Sequence, residues 1–299
     1  MQLCSGAKML IKEFVNREEI NKGWSGDKKH RVTDKKGGVY LLRITDISQL
    51  ERKKIEYEYM KYCAEKKLPI CVPISFGVCE EGAYSVQSWI EGDDAEKNIS
   101  VYSETEQYNY GVEAGKILRV MHSIPAPAET PEWSSRFNKK ADRKIAMYSE
   151  CDIKYEKGTL FIDYINAHRH LLQGRPSSFQ HGDYHIGNMM IGKNKKLYVI
   201  DFNRFDFGDP WEEFNRIVWC VQASHSFASG MVDGYFENIV PLRFWELLAL
   251  YISSNTLGSL PWAVRFGKAE IEIMQNQAKD ILNWYNNMQT PIPSWYKSR

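Results

Sequence analysis

The sequence predicts an α+β chain with a small β-rich N-terminal lobe, residues 1–91, and a larger, mainly helical C-terminal lobe, residues 92–299. Two observations carry this. The 299 residues are about twice the usual domain length, which favours two lobes over one. The apolar pattern also changes near Gly92, from short compact runs between Gly and Pro breaks to runs at helical spacing.

Within the first lobe, Gly37-Gly38 is a turn signal and Val39–Ile44 (VYLLRI) is the strand after it. Gln49–Glu65 has no Gly or Pro and is rich in helix formers, so it is a helix. Pro69 and Pro73 break the chain, and Tyr84–Ile90 forms another strand that stops at Glu91-Gly92. In the second lobe, Val112, Ala114, Ile117, Leu118 and Met121 line one face of a helix over Gln107–Met121. After Pro125, Pro127 and Pro131, helices are expected over Lys139–Tyr148 and Leu160–Leu172. Met189–Ile191, a turn at Gly192–Lys195 and Leu197–Phe202 make a hairpin. Trp211–Met288 is helical, with breaks expected near Gly230, Pro241 and Pro261.

Composition narrows the class. With 39 Lys and Arg against 38 acids the net charge is +1, which excludes a strongly basic nucleic-acid binder. The apolar run Phe244–Ile252 is far shorter than the ~20 residues a membrane crossing needs, so no membrane association is expected. Six cysteines (Cys4, Cys63, Cys71, Cys79, Cys151, Cys220) form no C-x-x-C pair and are expected to be free thiols. No signal peptide is visible, and a cytoplasmic location is expected.

The chemistry lies in His181–Ile191 (HGDYHIGNMMI), followed by Leu197–Phe202 (LYVIDF). If Met189–Ile191 pairs with Leu197–Ile200, Asn188 and Asp201 stand at neighbouring open ends of the hairpin. Both then offer oxygen ligands to a hard cation such as Mg²⁺. Asp183, one loop turn away, can take a proton from an attacking hydroxyl. Phosphoryl transfer needs these parts, because it depends on positioning and charge neutralisation more than on covalent participation.

HGDYHIGN resembles the H-G-D-x-x-x-x-N motif of the aminoglycoside phosphotransferase and choline kinase superfamily, the small-molecule branch of the protein-kinase-like fold. The resemblance extends to Ala114–Pro125 (AGKILRVMHSIP), Ser88–Gly92 (SWIEG) and Ile200–Phe214 (IDFNRFDFGDPWEEF). It implies a bilobal kinase-like fold that uses ATP or GTP with Mg²⁺ to phosphorylate a hydroxyl-bearing small molecule, with antibiotic resistance among the associated roles. Asp183 would be the catalytic base and His181 a structural brace, while Asn188 and Asp201 would hold Mg²⁺. The backbone of Ser88 and Ile90 would meet the nucleotide base, Arg43 the phosphates, and Glu56 would orient Arg43, with Glu58 the competing choice. His185 stays open between a loop brace and an acceptor contact.

Three departures from the family pattern stand out. Arg43 replaces the usual Lys, and its planar head cannot simply take the ammonium's place. There is no G-x-G-x-x-G; Asn21–His30 stands where the phosphate loop belongs, with Ser25 as a candidate phosphate contact between Gly23 and Gly26. Asp201 is followed by Phe202-Asn203 instead of Phe-Gly. A polycationic acceptor would call for acids on the second lobe, and Glu212, Glu213, Asp233 and Glu237 are the candidates. Two competing readings are a kinase-shaped protein without transferase activity and a zinc hydrolase built on His181, Asp183 and His185.

Overall fold

The computed structural model describes residues 13–21 and 26–297. The chain divides into two compact units. One takes the chain up to Ala95 together with Asn188–Phe205; the other takes Glu96–Gly187 and the chain from Asp206 onward. The stretch that carries Asn188 and Asp201 is thus counted with the first unit, and Asp183 with the second.

In the first unit, β1 (Phe14–Glu19), β2 (Lys28–Asp34), β3 (Val39–Thr45), β4 (Pro73–Cys79) and β5 (Gly82–Ser88) form an antiparallel sheet of order β1-β2-β3-β5-β4. The expected turn at Gly37-Gly38 is closed by Asp34, whose carboxylate accepts the amides of Lys36 and Gly38, both at 2.8 Å. Leu42 and Ile44 pack with Val32, Tyr84 and Val86 on one face. The two-residue period of a strand then sends Arg43, between them, to the other. The expected helix is α1 (Leu50–Glu65), which buries Glu56, Met60 and Cys63. The expected strand to Ile90 stops at Ser88.

The hairpin forms as read. β8 (Met189–Gly192) pairs with β9 (Leu197–Val199) through Met189–Val199 and Ile191–Leu197, and β6 (Gly92–Asp94) adds to its other edge. The strand expected to reach Phe202 ends at Val199, because Asp201 turns into the left-handed region (φ 66°, ψ 70°) and a short 3-10 turn, Phe202–Arg204, follows.

The second unit holds α2 (Glu104–Met121), α3 (Trp133–Glu150), α4 (Thr159–His168), α5 (Ile217–Ala223), α6 (His225–Phe236), α7 (Leu242–Val264) and α8 (Lys268–Trp284). Capping places two starts earlier than periodicity did. Ser103 and Glu106 form a capping box on α2, and Glu132 accepts the amides of Ser134 and Ser135 to begin α3. The helix expected over Leu160–Leu172 tightens into a 3-10 turn after His168. β7 (Ser178–Gln180) and β10 (Asp206–Gly208) pair antiparallel, a contact with no signal in either segment alone.

Of the three expected breaks, only Pro241 is one; it caps α7. Gly230 lies inside α6 because that helix crosses α2 at near backbone contact. A Cβ at Gly230 would lie 2.2 Å from the Tyr108 carbonyl, and one at Gly115 would lie 2.1 Å from that of Met231. Pro261 sits in the last turn of α7, which continues through it. Beneath this layer the fully buried Asp209 takes a bidentate pair from Arg175 at 2.6 and 2.7 Å and the hydroxyl of Tyr251 at 2.5 Å. The family-like turn Gly208–Pro210 is therefore an anchor for the helical core. No helix among the described residues is long and apolar enough to cross a membrane. Cys63, Cys71, Cys79, Cys151 and Cys220 are free thiols, and Cys4 lies outside the described residues.

Candidate active site

In the first unit the hairpin brings two of the expected residues together. The amide of Ile200 donates to the carbonyl of Asn188 at 3.0 Å, so Asn188 and Asp201 flank one hydrogen bond at the hairpin's open end. Arg43, from β3, reaches the same place: Nη1 donates to Asp201 Oδ1 at 3.0 Å, while Nε and Nη2 donate to Asp27 Oδ2 at 3.1 and 2.8 Å. Lys29 Nζ stands 3.8 Å from Asp201 Oδ2.

Lys53 of α1 ties this cluster to the helix. Its ammonium donates to Asp27 at 2.8 Å, Glu56 at 2.9 Å and Asn203 Oδ1 at 2.6 Å. Glu56 therefore meets Lys53 directly and acts on Arg43 through space. Glu58 lies outside the cluster, exposed and paired with Lys61. The unusual Asn203 after Asp201-Phe202 also acquires a reason, as Lys53's third acceptor.

Burial sets the electrostatics. It opposes the charge on Arg43, but Asp201, Glu56 and Asp27 outweigh it and raise the guanidinium's pKa. Burial likewise pushes Asp27 upward, and Arg43 with Lys53 more than reverses this, holding the carboxyl below its ordinary range. Lys29 is lowered by burial, against the pull of Asp201. Asp27 and Lys53 were not foreseen. Lys53 had a signal, an i,i+3 pair with Glu56 on a predicted helix. Asp27 did not, because an acid after Ser25-Gly26 looks like turn chemistry. Ser25 itself lies outside the described residues.

Ser88 ends β5 with its amide on the carbonyl of Val72 at 2.8 Å, and its hydroxyl accepts the Val72 amide at 2.9 Å. Ile90, two residues on, is buried and makes no hydrogen bond among the described residues.

In the second unit, Asp183 sits on a loop held from beneath. Gly182, at φ 81°, turns the chain so that its amide and that of Tyr184 both point at Glu213, at 2.9 and 3.4 Å from Oε1. Glu213 is 1% exposed and faces His122 Nε2 at 3.8 Å. Tyr184 donates its hydroxyl to the Ala114 carbonyl at 2.7 Å, pinning the loop to α2. His181 is fully buried, edge-on to Tyr184, with Nδ1 3.4 Å from the Asp183 amide. The carboxylate of Asp183 forms an ion pair with Arg216 Nε at 3.2 Å and stands 3.8 Å from His185 Nε2. Arg216 carried no sequence signal.

A zinc site needs three or four convergent N, S or O ligands, and no group of three His, Cys, Asp or Glu is assembled among the described residues. Asn188 and Asp201 carry an amide and a carboxylate oxygen, donor types that suit Mg²⁺, which takes one or two protein oxygens and draws the rest from water and phosphate.

A family model described as the phosphotransferase enzyme family matches residues 16–245. Among solved structures, a thermostable mutant of aminoglycoside phosphotransferase APH(4)-Ia in ternary complex with AMP-PNP and hygromycin B is 16% identical. Its TM-score is 0.67, with 96% of this chain and 99% of that one covered. A choline/ethanolamine kinase family protein from Mesorhizobium loti is 13% identical, with TM-score 0.67 and coverage of 94% and 92%. The amicoumacin kinase hAmiN, in complex with AMP-PNP, Ca²⁺ and Ami, is 13% identical, with TM-score 0.66 and coverage of 97% and 95%. No curated protein sequence matches. At such identities the structures establish the fold, and the family model, spanning well over half of the sequence, establishes the lineage: the chain belongs to the phosphotransferase enzyme family.

Proposed function

We propose that the protein is a cytoplasmic, Mg²⁺-dependent kinase that transfers the γ-phosphate of ATP or GTP to a hydroxyl of a small molecule. The observation that supports this reading is the Ile200–Asn188 backbone hydrogen bond, which joins the residue before Asp201 to Asn188, five residues downstream of Asp183. Asn188 and Asp201 would hold Mg²⁺, which when bound supplies charge neutralisation for the phosphates. Arg43 is the cation offered to the phosphates, held in a socket lined by Asp27 and Asp201. The backbone of Ser88 and Ile90 receives the base.

Asp183 takes the acceptor's proton. The hydroxyl oxygen attacks the γ-phosphorus, a new O–P bond forms, and the bond to the β,γ-bridging oxygen breaks. The nucleoside diphosphate leaves, and the proton passes from Asp183 to solvent. Arg216 and the Glu213-braced amides fix the carboxylate's direction, which matters because misplacement by about 1 Å can cost ~10²-fold in rate.

The test is nucleotide-dependent product formation, by mass and diphosphate release, across aminoglycosides, macrolides, choline-like alcohols, sugars and sugar acids. Asp183→Asn is expected to bind nucleotide and lose ~10²- to 10⁴-fold in turnover. Full turnover in that variant would sink the assignment, and nucleotide binding without transfer by the native protein would favour a non-catalytic kinase-like protein.

A further inference from the structure

Four acids of the second unit were candidates for gripping a polycationic acceptor, and all four are committed elsewhere. Glu213 is sealed under the Asp183 loop. Asp233 is buried between the hydroxyls of Tyr108 and Tyr296, at 2.8 and 2.6 Å. Glu237 pairs with Arg119 at 2.6 Å, and Glu212 pairs with Lys140 at 2.9 Å.

Cations, by contrast, gather around Arg216, the partner of Asp183. Arg216 touches Asp183 at 3.2 Å. Lys144 lies one helical turn beyond Lys140 on α3 and shares the electrostatic neighbourhood of Glu212 and Arg216. Asp183 is balanced by Arg216 and Glu212 by Lys140, so Lys144 is the charge left over. It makes no hydrogen bond or ion pair among the described residues.

Lys144 is not a solvated surface lysine. Its side chain is half-buried and lies in a slot on α7 that exists because residue 258 is glycine. A Cβ at Gly258 would come within 3.1 Å of Lys144 Cδ and Cε. Burial, with Lys140, Arg143 and Arg216 adding to it against Glu212, pushes the ammonium's pKa down to about 7. A protein maintains such a group at a cost unless something compensates it, and what Lys144 lacks is an anion in direct contact, Glu212 being paired with Lys140.

We infer that the acceptor is an anionic alcohol, a hydroxyl compound that also carries a carboxylate or phosphate, with Lys144 and Arg216 receiving the anion while Asp183 receives the hydroxyl. This rests on the kinase reading above. The anion steers the acceptor and fixes its orientation; it takes no part in bond making. Lys144 is a specificity residue, and polycationic acceptors are excluded by the same charges.

The experiment has two arms. Nucleotide binding with Mg²⁺ and slow acceptor-independent hydrolysis of the nucleotide are measured first and bear on the kinase reading alone. Acceptors are then compared in matched sets: glycerol, glycerate and glycerol 3-phosphate; glucose, gluconate and glucose 6-phosphate; kanamycin as the cationic member. Anionic members should be phosphorylated at least tenfold more efficiently, with carboxylate and phosphate distinguished by which member of each set wins. Lys144→Met should raise the KM for the anionic acceptor tenfold or more, with a smaller effect on kcat, and Lys144→Arg should restore part of the loss.

In parallel, the lysines are ¹³C-methylated and the Lys144 resonance is assigned by its loss in Lys144→Met. Glycerate or glycerol 3-phosphate should shift that resonance and raise its titration midpoint. Equal or better use of neutral or cationic acceptors overturns the inference. So does a Lys144 resonance that ignores both anions in a protein that binds nucleotide, even if none of these acceptors is turned over. Failure to bind nucleotide would instead overturn the kinase reading.

Discussion

Arg43 holds Asp201 at 3.0 Å with one arm of its guanidinium and Asp27 at 2.8 Å with the other, so the two acids are linked through a single buried cation. Neither carboxylate belongs to Arg43's own strand: one comes from the residue before β2, the other from beyond β9. A lysine has one ammonium and could not span them with the same directed pair of bonds, which gives the substitution of Arg for the usual Lys a structural meaning.

Arg43→Ala should therefore do more than weaken phosphate binding. It leaves Asp27 buried with Lys53 as its remaining cation, and the expected destabilisation is about 3–5 kcal/mol by chemical denaturation. Adding Asp27→Ala should recover part of that loss, because it removes the uncompensated charge. A double variant as unstable as the sum of the two singles would refute the coupling.

Glu213 supplies the second prediction. Glu213→Gln keeps the shape but offers one acceptor oxygen to the amides of Gly182 and Tyr184, and sets an NH₂ among loop donors. A stability loss of about 1–3 kcal/mol is expected, with kcat down ~10-fold or more through misdirection of Asp183. Nucleotide affinity, measured by titration calorimetry, should change much less. Equal loss of both would mean that Glu213 supports the whole unit and not the loop.

Lys144 provides a pH test independent of any acceptor. Its pKa falls from 10.5 in the unfolded chain to about 7 in the fold. Between those values the unfolded chain binds more protons, so this group makes stability rise with pH. Its cost is full at and below pH 7 and vanishes towards pH 10.5. Lys144→Met should thus stabilise the protein by on the order of 2 kcal/mol at neutral pH, with the gain fading as the pH is raised. A pH-independent difference between variant and native protein would show that the lysine is not strained by burial.

Much of this protein was legible in its sequence because the signals are local. Turn residues and strand period marked β3, the absence of Gly and Pro marked α1, and the apolar segments Met189–Ile191 and Leu197–Val199 on either side of a turn marked the hairpin. What the tertiary structure decided was which group meets which. Gly230 looks like a break until α2 is laid against it, since only a packed neighbour makes the absence of a Cβ useful. The surroundings of Asp27, Lys53, Glu213, Arg216 and Lys144 were not legible, because a single charge in a sequence does not reveal its partner. Charge pairing across a fold depends on distance in space, and burial multiplies its strength; neither is written in a residue's immediate neighbours.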